Sequence, residues 1–163
     1  MDAFSIREAV PGDEGAILGF IRELAEYEKL LDDVVATEAD LNQALFEEGA
    51  VAYSLIAEVD GLPVAFALYF FNFSTFAGRK GIYLEDVYVK PEYRGKGIVS
   101  ALLRKLAQIA VAEECARFEW SALDWNQPAI DVYTGIGAKP MDEWTVFRLD
   151  GEALRKFAEF GKS

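Results

Sequence analysis

Apolar positions recur along this chain in two rhythms, and each change of rhythm marks a new element. Phe4–Arg7 has the alternation of a short strand, after which Pro11-Gly12-Asp13 breaks the chain and opens a helix. Ile17, Ile21 and Leu24 line one face of that helix at helical spacing. A second helix is predicted from Thr37 to Glu48, with Thr37 as N-cap and Asp40 three residues on. Ala52–Val59 and Val64–Phe71 read as strands joined at Asp60-Gly61, which is a hairpin signal. Ile82–Val89 is a further strand and Pro91–Gly97 a charged loop. Ile98–Glu114 is a helix with Leu102, Leu103, Leu106, Ile109 and Ala110 on its apolar side. Phe118–Leu123 is a strand, and Asn126 caps a helix that runs to about Thr134, where Gly135 or Gly137 stops it. Trp144–Leu149 reads as a last strand and Leu154–Phe160 as an amphipathic tail.

This order, β-α-α-β-β-β-α-β-α-β, predicts an α/β (α+β) fold with a mixed, mostly antiparallel central sheet flanked by helices. The strand-helix-strand unit over residues 82–123 should be parallel and right-handed. No repeat, low-complexity tract or linker-like run interrupts the 163 residues, so a single domain over 1–163 is expected.

Composition narrows the chemistry. The 28 acidic and 16 basic residues leave a formal charge of −12, which disfavours nucleic acid and anionic membrane surfaces and attracts cations. Histidine is absent, which excludes a Ser-His-Asp triad, a Cys-His dyad and His-ligated zinc. Cys115 is the one cysteine, so no internal disulfide forms, and a reducing compartment is expected. MDAFSIREAVPGDEG lacks the pattern of a signal peptide, and the apolar run near Val64–Phe71 is too short to span a bilayer. A cytoplasmic protein without metal is the expectation.

The densest signal is Tyr83-Leu84-Glu85-Asp86-Val87-Tyr88-Val89, followed by Lys90-Pro91-Glu92-Tyr93 and Arg94-Gly95-Lys96-Gly97-Ile98. A strand, a glycine-rich loop and a helix start present backbone N–H groups and a helix dipole to an anion. Lys90, Arg94 and Lys96 add positive charge in an acidic chain. The alternative is a solvated loop softened by glycine. The strand before it and the apolar helix after it favour a phosphate cradle.

Arg94-Gly95-Lys96-Gly97-Ile98-Val99 resembles the Gln/Arg-x-x-Gly-x-Gly/Ala signature of the GCN5-related N-acetyltransferase (GNAT) superfamily, whose loop binds the pyrophosphate of acetyl-CoA. Glu23-Leu-Ala-Glu-Tyr27-Glu28, Tyr83-Leu-Glu85-Asp86, Asp124-Trp125-Asn126-Gln-Pro128-Ala-Ile130, and Tyr133 followed by Gly137-Ala138 resemble the diamine (spermidine/spermine-type) acetyltransferase branch and the related thialysine N-acetyltransferases. The resemblance covers nearly the whole chain. One position departs from the signature: Val99 stands where the family prefers Gly or Ala, which puts coenzyme affinity in question.

The resemblance implies a GNAT fold and acetyl-CoA as co-substrate. Backbone groups of Val87, Tyr88 and Val89 would pair with the pantetheine arm. Gly95, Lys96, Gly97, Ile98, Val99 and Ser100, with Arg94, would hold the pyrophosphate. Asn126, Gln127, Pro128 and Ala129 would line the other side of the arm. It also implies a homodimer joined partly through C-terminal strands.

Transfer of acetyl to an amine needs a deprotonated amine, a stabilised carbonyl oxygen and a protonated leaving thiolate. Spacing alone reads Tyr133 as a packed aromatic on one helical face with Ile130; the resemblance places it beside the coenzyme sulfur as the acid. Glu85 is the candidate for amine deprotonation through ordered water. In a regular strand Glu85 shares a face with Tyr83, Val87 and Val89, and Asp86 shares the other with Leu84 and Tyr88. Glu28 extends the apolar stripe of the first helix, as a frayed end or, with Tyr27, as part of an amine cleft. The resemblance implies that Glu119, Trp120 and Ser121 line the acceptor, although Trp120 alternates with Phe118 and Ala122 as a core residue would; Asp86 joins that set or is a buried carboxylate paired with Arg or Lys, a reading that fits it better than Glu85 unless a bulge re-aims it. Phe76 is an aromatic wall or a loop residue, and Cys115 has no base to make it a nucleophile.

Three functions follow from these residues. The first is acetyl transfer from acetyl-CoA to a primary amine of a small cationic molecule, diamine- or polyamine-like, in a ternary complex. The second is the same reaction on thialysine, a lysine-like amino acid or a peptide. The third is an acetyl-CoA-binding module without catalysis.

Overall fold

Alternating strand segments pair here into one five-stranded sheet, ordered β1-β2-β3-β4-β5: β1 Phe4–Glu8, β2 Tyr53–Val59, β3 Leu62–Ser74, β4 Arg79–Val89 and β5 Arg117–Trp120. The computed structural model describes residues 3–159. The first four strands run antiparallel to their neighbours, and β5 lies parallel to β4. Three helices belong with this sheet: α1 Glu14–Tyr27, α2 Glu38–Phe46 and α3 Ile98–Ala112. Two further helices, α4 Gln127–Gly135 and α5 Gly151–Glu159, lie in the remainder of the chain. By its contacts the chain divides into two compact units, Met1–Ser121 and Ala122–Ser163.

Local chemistry sets the element ends. Thr37 and Asp40 form a reciprocal capping box that starts α2, as their spacing predicts. Asp60 (φ 52°) and Gly61 (φ 77°) make the two-residue turn between β2 and β3, with Val59 opposite Leu62. Asp13, at the start of α1, makes no side-chain cap. Its carboxylate instead takes both guanidinium arms of Arg7 at 2.8 and 2.9 Å and the Val10 N–H at 2.7 Å.

Each sheet face has its own cover in the first unit. Ile56, Phe66 and Tyr88 stand opposite one another on β2, β3 and β4 and pack with Ile17, Leu18 and Phe20 of α1 and Leu41 and Leu45 of α2. On the other face, Leu55, Ala67 and Val87 form one row and Ala57, Ala65 and Val89 the next. The α3 helix packs against β2, β3 and β4, with Ile98, Leu102, Leu103, Leu106 and Ala110 buried.

One expected element is absent. Residues 144–149 form no strand, and Trp144, Val146, Phe147 and Leu149 are 51–91% exposed. Alternation predicts which face a strand would bury but does not supply a neighbour for its N–H and C=O groups. The tail helix α5 forms over Gly151–Glu159; Phe160, the predicted end of the tail, lies outside the described residues.

Candidate functional site

The register of β4 slips by one residue in the middle of the constellation. Asp86 stands opposite Leu68 and Leu84 opposite Tyr69, which leaves Glu85 without a partner on β3. This bulge corrects the regular alternation expected for the strand. Tyr83, Asp86 and Tyr88 share the face that meets α1, whereas Leu84 falls on the face of Val87 and Val89. Glu85 itself is exposed, and Asp86 is half-buried.

Three carboxylates meet here. Burial, then the charges of Glu85 and Glu28, pushes the Asp86 carboxyl up from 3.8 to about 6. Glu28 is the C-cap of α1, and burial pushes its carboxyl up as well, so it is not a frayed end turned to water. No side-chain hydrogen bond or ion pair engages Glu28, Glu85 or Asp86 among the described residues. Next to Glu28, an open hollow of about 420 Å³ is lined by Glu26, Lys29, Leu30, Leu31, Asp32 and Asp33.

The β5 strand divides the residues expected to line the acceptor. It pairs with β4 only from Gly81–Arg117 to Leu84–Trp120. Glu119 stands opposite Tyr83, and Ser121 Oγ lies 2.6 Å from the Tyr83 hydroxyl. Trp120 instead falls opposite Leu84 on the α3 side and packs on Phe118 at 4.8 Å between ring centroids. It is half-buried there. Phe76 is 96% exposed in the turn after β3. Arg79 donates to the Glu114 carbonyl oxygen, and Lys80 pairs with Glu113. Burial pushes the Cys115 thiol up, away from a reactive thiolate.

Among the described residues no strand pairs with β4 beyond Leu84 on its β5 side, so Glu85 to Val89 form an unpaired strand edge there, with the Val89 carbonyl oxygen accepting from Arg94. The glycine loop follows directly. Gly95 (φ 78°) and Gly97 (φ 81°) both take left-handed conformations, and no atom lies within 4 Å of the position a Cβ would take at either. A side chain at these positions would be strained by its backbone, not by its neighbours. Gly97 is the N-cap of α3 and supplies no side-chain cap, which leaves the first N–H groups of Ile98, Val99 and Ser100 without a side-chain acceptor among the described residues. That is the donor set a phosphate requires. Val99 is half-buried in the first turn of α3. Of the three nearby cations, Lys90 is paired with Glu23 at 3.1 Å, a partner that local sequence did not reveal.

In the second unit, Asn126 stands at the N-cap of α4 without making a side-chain cap bond, and Pro128 lies in the first turn. Gln127 bonds Asp131, and Ala129 is half-buried. Tyr133 is half-buried near the end of α4. Its carbonyl accepts from Ala138 N–H while Thr134 accepts from Gly137 N–H, so Gly137 (φ 96°) stops the helix.

The profile of the acetyltransferase (GNAT) family matches residues 17–138. This chain belongs to the GNAT family. It is an acyltransferase, and its family match crosses from the first compact unit into the second. This GNAT protein is 46% identical to the thialysine N-epsilon-acetyltransferase of Sus scrofa, over 97% of this chain and 99% of that one. It is 39% identical to the human spermidine/spermine N(1)-acetyltransferase-like protein 1, over 97% of this chain but 24% of that protein. Among solved structures, an integron cassette protein from the mobile metagenome of V. cholerae superposes with a TM-score of 0.80 at 29% identity, covering 96% of this chain and 98% of that one. GNAT acetyltransferases use acetyl-CoA. Among the described residues no group of three His, Cys, Asp or Glu could hold a metal, and no helix is long and apolar enough to cross a membrane.

Proposed function

We propose that this GNAT protein transfers acetyl from acetyl-CoA to the side-chain primary amine of a lysine-like amino acid of the thialysine class. The observation that carries this reading is the carboxylate cluster Glu28, Glu85 and Asp86, in which no carboxylate has a cationic side-chain partner among the described residues. Like charges brought together and partly desolvated are costly unless a cation joins them. A substrate ammonium is such a cation. Similarity to thialysine N-epsilon-acetyltransferases supports this class of amine over the diamine that the resemblance first favours.

When bound, acetyl-CoA supplies the reactive thioester. The N–H groups of Gly95 to Ser100, with Arg94 and Lys96, receive its pyrophosphate. The open edge at Val87, Tyr88 and Val89 receives the amide-bearing arm, and Asn126 to Ala129 line that arm. Asp86 and Glu85, directly or through water, take the proton from the substrate ammonium, so that the neutral nitrogen attacks the acetyl carbon. Asp86, held near 6, is ionised at neutral pH yet basic enough to accept it. The Tyr133 hydroxyl donates a proton to the departing sulfur. Glu119 and Ser121 border the acceptor. The enzyme works as a homodimer in the cytoplasm.

The test is a screen of the purified protein with acetyl-CoA against thialysine, lysine, spermidine and short diamines. Thialysine or lysine should give the highest kcat/KM. A preference for spermidine or diamines would replace the acceptor, and acetyl-CoA binding with no transfer to any amine would leave a binding module.

A further inference from the structure

The last turn of α1 presents Tyr27 toward the glycine loop, although the resemblance places it in the amine cleft. The Arg94 guanidinium carbon lies 5.9 Å from the Tyr27 ring centroid and 5.5 Å from that of Tyr88. Arg94 Nε also donates to the Val89 carbonyl oxygen at 3.3 Å. Tyr88 is itself fixed. It is buried, its ring leans on Phe20 at 6.4 Å, and its hydroxyl donates to Glu23 Oε1 at 3.3 Å. The second Glu23 oxygen holds Lys90 Nζ at 3.1 Å.

Two neighbouring cations are thus held in opposite ways. Lys90 meets a carboxylate, which offsets its charge. Arg94 meets two aromatic rings, the Tyr88 hydroxyl and a carbonyl, and no carboxylate among the described residues. Rings orient a guanidinium without supplying a counter-charge and leave its terminal N–H groups able to donate. Arg94 directly precedes Gly95 and Gly97, where the phosphate cradle opens. An arginine oriented before the anion arrives loses less freedom on binding than one on a mobile stem.

We propose that Tyr27 is a positioning residue for the acyl donor: its ring, with that of Tyr88, sets the Arg94 guanidinium for the donor's phosphates. This inference rests on the acetyl-CoA reading above. It assigns Tyr27 to the donor side, while its neighbour Glu28 serves the acceptor.

The experiment is calorimetric titration of acetyl-CoA into wild type, Tyr27→Leu, Tyr27→Phe, Arg94→Met and Tyr27→Leu/Arg94→Met, with steady-state kinetics on the same proteins. Tyr27 is 43% exposed, so the variants should fold, and thermal melting checks this. Tyr27→Leu should weaken acetyl-CoA binding about three- to fivefold, as loss of one exposed ring–cation contact implies. Tyr27→Phe keeps the ring and should restore affinity. The change should fall on KM for the donor and not on kcat, and should vanish in the Arg94→Met background. A rise in acceptor KM with donor affinity intact would overturn the proposal and return Tyr27 to the amine cleft. An equal loss with Arg94 already replaced would also overturn it. Wild type that binds no acetyl-CoA would overturn the donor reading itself, a result distinct from either.

Discussion

Asp86 owes its chemistry to burial and to the carboxylates around it. It shares the α1 face with Tyr88, and with Tyr83 through the bulge at Glu85, close enough to Glu28 to feel its charge. Burial then holds its carboxyl near 6. The folded value lies above the unfolded value of 3.8, so protonated Asp86 favours the fold. That contribution is complete below 3.8 and is lost as pH rises through 6. Asp86→Asn should therefore melt higher than wild type at neutral pH, with the gap closing in acid. In wild type, kcat/KM should climb with pH along a limb near 6, where the carboxylate becomes able to accept a proton. Asp86→Asn should lose both that limb and most activity, whereas Glu85→Gln should keep the limb. Tyr133→Phe should also keep it while kcat falls about 10²–10⁴-fold, the ordinary size of a general-acid effect. A limb that survives in Asp86→Asn would assign it elsewhere.

At the scale of elements, three helices end by the same hydrogen-bonded motif, and two of them lack the glycine it favours. Lys29 (φ 63°) follows α1, with its N–H on Glu26 O and Leu30 N–H on Ala25 O. Glu114 (φ 56°) follows α3, with its N–H on Val111 O and Cys115 N–H on Ala110 O. Gly137 does the same after α4 without strain. A left-handed residue with a Cβ costs about 1–2 kcal/mol, which glycine's greater chain entropy partly offsets. Glu114→Gly should stabilise the protein by about 0.5–1 kcal/mol and raise Tm by about 1–4 °C. An unchanged or lower Tm by differential scanning calorimetry would refute this. The helices themselves were legible because their caps are local: Thr37 with Asp40, Gly137 after Tyr133, and Gly97 before Ile98. Residues 144–149 were misread as a strand because partnership is not local.

For the whole molecule, charge is the property with a functional consequence. A net −12, with the hollow of Glu26, Asp32 and Asp33 beside Glu28, should draw in a cationic acceptor. Exposed charges are screened over about 8–10 Å at physiological salt, so the acceptor KM should rise with ionic strength. The KM for anionic acetyl-CoA should not rise in parallel. Steady-state kinetics at low and high salt decide this; a flat acceptor KM would mean that the acids act only as a solvated surface.

Sequence by itself determined the helices and central strands, the β2–β3 turn, the glycine loop at the start of α3 and the family, because each rests on residues close together in the chain. Periodicity needs one turn of helix, and a phosphate cradle needs one loop. Tertiary structure alone decided which carboxylates meet. Glu28 and Asp86 lie far apart in sequence, and the packing of α1 on β4 brings them together. Only the fold showed that Lys90 belongs to Glu23, that Trp120 turns toward α3, and that Gly81 is tightly enclosed. A Cβ at Gly81 would come within 2.7 Å of Asn72 Oδ1 and 3.0 Å of the Arg117 carbonyl oxygen. The reason is common to all of them: desolvation and charge pairing are set by neighbours in space, and a strand pattern names a face without naming what covers it.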